Sequence, residues 1–288
     1  MRKLILTVGI SNSGKTTWTK QYCEENPNTY NINRDDIREE RFGDLSSYKF
    51  TKAKENWVSE VQLGDAEDAV LHEQDIIISD TNLNPSVRDF WKKFAEDNNY
   101  KYSEEVFNVE PHICIARSLK RAYTVPAWVI NRQYKQMREY LGKPSYNGTQ
   151  GKGKTVILDV DGTLASMEGV RGPFEWDKVG LDKPRENVII LSRMLWNEGY
   201  NIVVMSGRDR SCYEETAKWL IRNKVPFTTL YQREEGDQRP DAVIKEELFW
   251  NHVADNYDVK FVVDDRNQMV DRWRAIGLEC WQVNFGDF

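Results

Sequence analysis

The chain has 288 residues, long enough for two modest domains that each bury a core. Forty lysines and arginines against 46 aspartates and glutamates give a formal charge of -6, which excludes a globally basic nucleic-acid coat protein. Cys23, Cys114, Cys212 and Cys280 form no CxxC pair and His72, His112 and His252 no zinc pattern, so the composition fits a reduced intracellular protein.

The apolar stretch after Met1-Arg-Lys is too short for a secretory signal, and no run reaches membrane-spanning length, so no membrane partner is expected. Leu4 to Val8 reads as a strand and runs straight into Gly9-Ile-Ser-Asn-Ser-Gly14-Lys15-Thr16-Thr17. This is GxxxxGKT in its required setting of strand, loop and helix. Gly9 and Gly14 let backbone N–H groups close around phosphate, and the helix N-terminus adds partial positive charge. Lys15 is placed to reach the β- and γ-phosphates, and the Thr16 hydroxyl to hold Mg²⁺, with Thr17 in the same turn. Such a loop specifies a nucleoside triphosphate but not what receives the phosphate.

Tyr30-Asn-Ile-Asn-Arg34-Asp35-Asp36-Ile-Arg38 ends a short strand at the sheet edge where α/β enzymes bind ligands. There the Asp35 carboxylate can take a proton from a hydroxyl, and Arg38 can hold an acceptor phosphate bidentately. Asp35-Asp36 can equally cap the next helix, whose dipole suits acidic residues. Thr51 to Leu71, with Trp57, Val61, Ala66, Ala69 and Val70, reads as one long packed helix. Asp75-Ile-Ile-Ile-Ser-Asp80 is a buried strand ending in a carboxylate that can organise Mg²⁺ or anchor Lys15, and Asn84-Pro85 starts a helix over Ser86 to Glu96. Glu104 to Val109 is the next strand.

Pro111 to Lys143 carries seven lysines and arginines and one acidic residue, Glu139. Within it Cys114 to Arg121 reads as a helix bearing Arg117, Lys120 and Arg121. A second helix from Pro126 packs Ile130, Tyr134, Met137 and Leu141 and leaves Arg132, Lys135 and Arg138 largely outside that stripe. An arginine on such a lid can neutralise a transferring phosphoryl group, and structural ion pairing is its competing use. Gly142 to Gly153, glycine-rich and nearly free of apolar residues, reads as a linker. The expected division is therefore 1–142, a linker at 143–153, and 154–288.

The second domain opens on Thr155-Val-Ile-Leu-Asp159-Val-Asp161-Gly-Thr163, an apolar strand ending in two carboxylates. Positions i and i+2 of an extended segment point the same way, so Asp159 and Asp161 are expected to face one pocket and to need a cation or a shared proton. DxDGT after such a strand resembles the first motif of the haloacid-dehalogenase-type phosphatases. Three later stretches complete the set. Tyr200 to Ser206-Gly-Arg208 ends in a hydroxyl that can donate to phosphate, Lys245 in Asp241-Ala-Val-Ile-Lys245 can hold an aspartyl–phosphate, and Asp264-Asp265 are natural Mg²⁺ ligands after another buried strand. Phosphoryl transfer to Asp159, with Asp161 moving the proton, explains the spacing of two. Arg171-Gly-Pro-Phe174-Glu-Trp176 falls where a substrate-facing cap would lie, and its arginine can contact a phosphate, a nucleobase or an acidic neighbour. Trp219 and Trp250 read as core.

The fold class is therefore α/β: an N-terminal P-loop kinase-like parallel sheet with lid helices, then a Rossmann-like haloacid-dehalogenase-type phosphatase domain with a small cap. In this order the motifs resemble, from end to end and down to Gly286-Asp287-Phe288, the bacteriophage bifunctional polynucleotide 5'-kinase/3'-phosphatases. The resemblance implies Lys15 and Thr16 on ATP and Mg²⁺, Asp35 as general base for the 5'-hydroxyl, Arg38 as clamp on the acceptor's 3'-phosphate, and Arg121 as lid arginine. Asp80 matches a further kinase carboxylate, although Arg117-Ser-Leu-Lys-Arg121 spaces the lid differently. In the second half it implies Asp159 as nucleophile and Asp161 as general acid–base. Arg171, Ser206, Arg208, Asp241, Lys245, Asp264 and Asp265 match phosphate or metal positions, with Asp159 and Asp161 at the metal as well. It further implies DNA and RNA ends as substrates, with 2',3'-cyclic phosphate ends left open, a homotetramer, a functional partnership with an RNA ligase, and the cytoplasm of an infected bacterial host. The rival readings are a metabolite kinase fused to a small-molecule phosphatase, and a nucleotide-binding scaffold without turnover.

Overall fold

The apolar runs of this chain do not alternate with polar residues because most of their strands are covered on both faces, as parallel sheets require. A computed structural model describes residues 1–121 and 123–286, apart from the Phe285 side chain, so the expected likeness at Asp287 and Phe288 lies outside the described residues. The chain divides into two compact units, residues 1–143 and 144–288.

In the first unit β1 (Lys3–Gly9) leads into α1 (Lys15–Glu25), and β2 (Thr29–Ile32) into α2 (Arg34–Phe42). The long α3 (Lys52–Leu71) precedes β3 (Asp75–Ile78), then come α4 (Pro85–Asp97), β4 (Lys101–Phe107), α5 (Pro111–Ser118) and α6 (Ala127–Tyr140). The sheet is wholly parallel in the order β2-β3-β1-β4. Leu4, Leu6, Ile32, Ile76 and Ile78 pack against Val58, Ala66 and Ala69 of α3 and Trp91 of α4, which is why α3 has a small-residue face. Asn84 caps α4 by accepting from the Ser86 N–H, with Pro85 in the first turn where its missing N–H costs nothing.

The second unit begins with β5 (Lys154–Leu158), followed by the short antiparallel pair β6 (Ala165–Ser166) and β7 (Lys183–Pro184), which with the 3₁₀ turn Trp176–Leu181 between them forms the small cap. Then follow α7 (Glu186–Asn197), β8 (Asn201–Asp209), α8 (Tyr213–Arg222), β9 (Thr229–Arg233), α9 (Asp241–Leu248), β10 (Asp258–Arg266), α10 (Asn267–Ala275) and β11 (Cys280–Gly286). Its sheet is parallel in the order β11-β10-β5-β8-β9. Val156 and Leu158 face one core with Trp219, while Ile157 faces the other with Phe249 and Trp273, as the strand period of two demands. The chain runs outward from β5 through β8 and β9 and then returns to β10 on the other side, so β5 lies at the reversal where such sheets bind ligands.

Four expectations change. The helix expected to reach Arg121 stops at Ser118, and β4 is shifted to Lys101–Phe107. Arg138, expected outside the packed stripe of α6, is 2 % exposed. The stretch expected as a free linker is docked: Tyr146 is buried in the second unit's core, donates from its hydroxyl to the Tyr257 carbonyl at 3.0 Å, and accepts from the Val259 N–H at 2.8 Å. One aromatic ring inside a Gly-rich run is a weak periodic signal, yet its burial outweighs the run's flexibility.

Candidate active sites

In the first unit the P-loop turns from β1 into α1 through Gly14, whose φ of 108° lies in the left-handed region. No side chain caps α1, so its first N–H groups face the loop as a site for an anion. Lys15 is buried and donates to the carbonyls of Gly9 at 3.0 Å and Ile10 at 2.8 Å, and burial lowers its ammonium to about 8. The side-chain amide of the buried Asn12 and the Ser13 hydroxyl have no hydrogen-bond partner, and the Asn12 Nδ2–H and Ser13 O–H are donors that a bound phosphate can accept from. Thr16 and Thr17 are exposed on the same turn.

The lid approaches this loop through residues that the motifs alone do not mark: the Ser11 N–H donates to Gln133 at 2.8 Å, and Arg117 donates to the Asn12 carbonyl at 3.2 Å. Arg121 is exposed in the turn after α5, and its charge acts to lower the Lys15 ammonium. Asp80 does not anchor Lys15 by a direct ion pair among the described residues. Its carboxylate accepts from the Arg34 N–H at 2.9 Å and the Gln62 amide at 2.7 Å, and burial raises it above the usual range.

Asn33, not the acidic pair, caps α2, accepting from the Asp35 N–H at 2.9 Å and leaving the Asp35 side chain exposed. Arg38 differs from the expected open clamp. It donates to Glu55 through Nε at 3.1 Å and Nη2 at 2.7 Å, and to Asp35 through Nη1 at 2.6 Å, so its bidentate fork is already engaged. Arg34 and the Tyr48 hydroxyl also donate to Glu55. Burial opposes ionisation of Glu55, but these bonds outweigh it and hold the carboxyl at about 2. A lone glutamate within α3 carries no motif, which is why sequence reasoning missed it.

In the second unit Asp159 sits just past β5, where its N–H still bonds the Val263 carbonyl of β10 at 3.0 Å. Its carboxylate meets the buried Lys245 ammonium at 2.6 Å, and Lys245 also lies 3.3 Å from Asp241 and 3.3 Å from Asp264. Asp159, Asp264 and Asp265 each offer an oxygen, all within 4.8 Å of one another. One buried Asp265 oxygen has no hydrogen-bond partner, so the donor set fits a hard divalent cation. Burial, then repulsion from Asp264, Asp265 and Asp241, raises the Asp159 carboxyl well above its usual range despite Lys245, and burial with Asp264 raises Asp265. Burial opposes the charge of Lys245, but its three carboxylates prevail and raise it well above the ordinary value. Two glycines make the cluster possible, because a Cβ at Gly162 would overlap the Asp265 carboxylate and one at Gly207 the Asp241 carboxylate.

Asp161 departs from the expected metal set. Its carboxylate accepts from Arg208 Nε at 2.9 Å, Arg208 Nη2 at 2.8 Å and Arg171 Nη2 at 2.7 Å. β5 ends at Leu158 and Val160 already lies in a turn, so Asp159 and Asp161 stand past the extended segment and their carboxylates go to different partners. Burial pushes the Asp161 carboxyl up, but Arg208 and Arg171 outweigh it and hold it below the usual range. Arg171 thus takes the acidic-neighbour option. Both arginines are anchored from behind by Asp182, 4 % exposed, which accepts from Arg171 Nε at 2.8 Å and Arg208 Nη2 at 2.5 Å. The indole N–H of Trp219 fixes the Asp182 carbonyl at 2.7 Å. Asp182 was not foreseen, since it stands in the cap outside every motif. Ser206 is buried in β8, its hydroxyl accepting from the Arg208 N–H at 3.2 Å.

Residues 153–288 match the family described as "Polynucleotide kinase PNKP phosphatase domain", and residues 4–144 match "AAA domain". The first unit is therefore a P-loop domain and the second a haloacid-dehalogenase-type phosphatase domain. A curated relative from Autographa californica nuclear polyhedrosis virus, "Putative bifunctional polynucleotide kinase/RNA ligase", is 30% identical over 96% of this chain. The chain spans only 42% of that relative's length. Two solved structures titled "Structure of the Pnkp1/Rnl/Hen1 RNA repair complex" and "Structure of Pnkp1/Rnl/Hen1 complex" are 28% and 29% identical, covering 100% of this chain and 97% and 98% of theirs, each with a TM-score of 0.48. Among the described residues no helix is long and apolar enough to cross a membrane.

Proposed function

We propose that the chain is a bifunctional nucleic-acid end-healing enzyme, which transfers the γ-phosphate of ATP to polynucleotide 5'-hydroxyl ends and hydrolyses 3'-phosphate ends. The observation that carries this reading is a P-loop unit joined to a unit that matches the phosphatase domain of polynucleotide kinase and holds a buried aspartate–lysine cluster. In the kinase half Gly9, Gly14, Lys15, Thr16, Thr17 and Arg121 receive the triphosphate. Asp35 takes the proton of the attacking hydroxyl, and Arg38, fixed by Glu55, orients Asp35 and keeps its remaining N–H groups for the acceptor.

In the phosphatase half the Asp159 carboxylate attacks phosphorus. The bond to the 3'-oxygen breaks, its electron pair leaves with that oxygen, and Asp161 supplies the proton. Water then attacks the phosphorus of the acyl phosphate, Asp161 takes the proton back, and inorganic phosphate leaves. The arginines hold Asp161 ionised in the free protein. An incoming phosphate dianion raises it towards a donor's range, so substrate binding draws a proton from solvent onto Asp161. Asp159, Asp264 and Asp265 would hold Mg²⁺, which offsets repulsion between carboxylate and anionic substrate.

The same reading extends to DNA as well as RNA ends, to a homotetramer, and to a bacteriophage working in the cytoplasm of an infected bacterial host. Partnership with an RNA ligase is supported by the baculoviral relative, whose name joins both activities. The test of substrate class compares a 5'-hydroxyl oligonucleotide with a nucleoside 3'-phosphate as acceptor for labelled phosphate. A clear preference in kcat/KM for the oligonucleotide is expected; equal or better use of the nucleotide supports a metabolite kinase instead.

A further inference from the structure

Between α2 and α3 the segment Tyr48-Lys49-Phe50-Thr51-Lys52-Ala53-Lys54 interleaves two aromatic rings with three lysines and contains no carboxylate. Phe50 is 63% exposed, although a phenyl ring gains by leaving water. Its ring meets the Tyr48 ring edge-on, with centroids 4.9 Å apart and planes at 88°, and the Arg38 guanidinium stands 5.3 Å from its centre. Tyr48 is more fully committed: Arg38 lies 5.9 Å and Lys54 4.8 Å from its ring centre, and its hydroxyl bonds Glu55. Phe50 is thus the exposed member of a cluster whose other members are packed. Arg38 connects it to Asp35 through the 2.6 Å ion pair.

We propose that Phe50 is a stacking platform for a nucleobase of the acceptor strand, with the flanking exposed Lys49 and Lys52 neutralising that strand's phosphates. This rests on the kinase reading above. An aromatic face beside cations is the arrangement by which proteins hold single strands without reading sequence. The ring is contacted by Tyr48 and Arg38, and the same guanidinium orients the carboxylate that meets the 5'-hydroxyl. Base stacking and end positioning therefore share one support.

The experiment measures kinase kinetics on two single-stranded 5'-hydroxyl acceptors, one with all bases and one abasic at its first three nucleotides. Phe50→Ala raises KM for the base-bearing strand by roughly 5- to 100-fold, the effect of one stacked base, and changes kcat less. The variant-to-wild-type ratio of KM shrinks towards one on the abasic strand, and Phe50→Trp retains the wild-type KM. The Lys49→Gln, Lys52→Gln double variant flattens the salt dependence of strand binding, by a slope of about 0.7 for each lost phosphate contact. An unchanged KM in Phe50→Ala, or an equal loss on both strands, overturns the platform. Wild-type turnover of the oligonucleotide tests the kinase reading separately. If there is none, fluorescence anisotropy of the labelled base-bearing strand decides the platform, weaker binding by Phe50→Ala supporting it and equal binding refuting it.

Discussion

Lys15 is a buried cation that donates to the carbonyls of Gly9 and Ile10, and burial has already brought it to about 8. A triphosphate favours its charged form, so binding of the proposed nucleoside triphosphate is expected to draw a proton onto Lys15. Affinity is complete below about pH 8 and falls above it, by up to about tenfold per pH unit, until the bound state itself deprotonates. Calorimetry in buffers of different ionisation enthalpy should record little proton uptake at about pH 7 and a rising fraction above about pH 8. No uptake at any pH would show that Lys15 keeps its charge when the loop is empty. In the other unit, Asp182 lies behind both guanidiniums that hold Asp161. Asp182→Asn leaves buried cations short of a partner and is expected to cost about 3–5 kcal/mol of unfolding free energy along with most phosphatase activity. Denaturant melts and phosphate release measure both, and an unaltered phosphatase would remove the positioning role. At this scale the sequence was a partial guide. GxxxxGKT and DxDGT are local in the chain, so Lys15 and Asp159 were legible. Glu55 and Asp182 act through partners 17 and 26 residues away, as at Glu55–Arg38 and Asp182–Arg208, and no local spacing records that.

The elements were legible where period and cap agreed. α3 and α4 begin where the sequence places them, next to the Thr51 and Asn84 caps, and the buried strands follow their apolar runs. The end of α5 moved: it stops three residues early at Ser118, whose hydroxyl donates to the Val125 carbonyl and accepts from the Val125 N–H and so holds the chain that follows. The Gly-rich segment before β5 shows what composition hides. Tyr146 locks it to the edge of β10 through Val259 and to the core beside Phe249, their rings 5.2 Å apart. Tyr146→Ala is expected to lower the stability of the second unit by about 3–5 kcal/mol while leaving P-loop chemistry intact. Thermal unfolding followed with phosphatase and kinase assays checks this. A melting curve equal to wild type would return the segment to the status of a free linker.

On the scale of the whole molecule, each unit has its own parallel sheet, its own core and its own set of charged groups at the C-terminal edge of that sheet. The family matches fall on the same two segments, residues 4–144 and 153–288. Two such units imply two chemistries that fail separately. The most direct measurement uses one oligonucleotide carrying a 5'-hydroxyl and a 3'-phosphate, incubated with ATP and Mg²⁺ and resolved by mass. Wild type should add phosphate at one end and remove it at the other. Lys15→Ala should abolish the addition and leave the removal within about twofold, and Asp159→Asn should do the reverse, each loss exceeding roughly 10²-fold. Equal loss of both activities in either folded variant would contradict the division into two independent sites, and persistence of phosphate removal in Asp159→Asn would contradict its role as nucleophile.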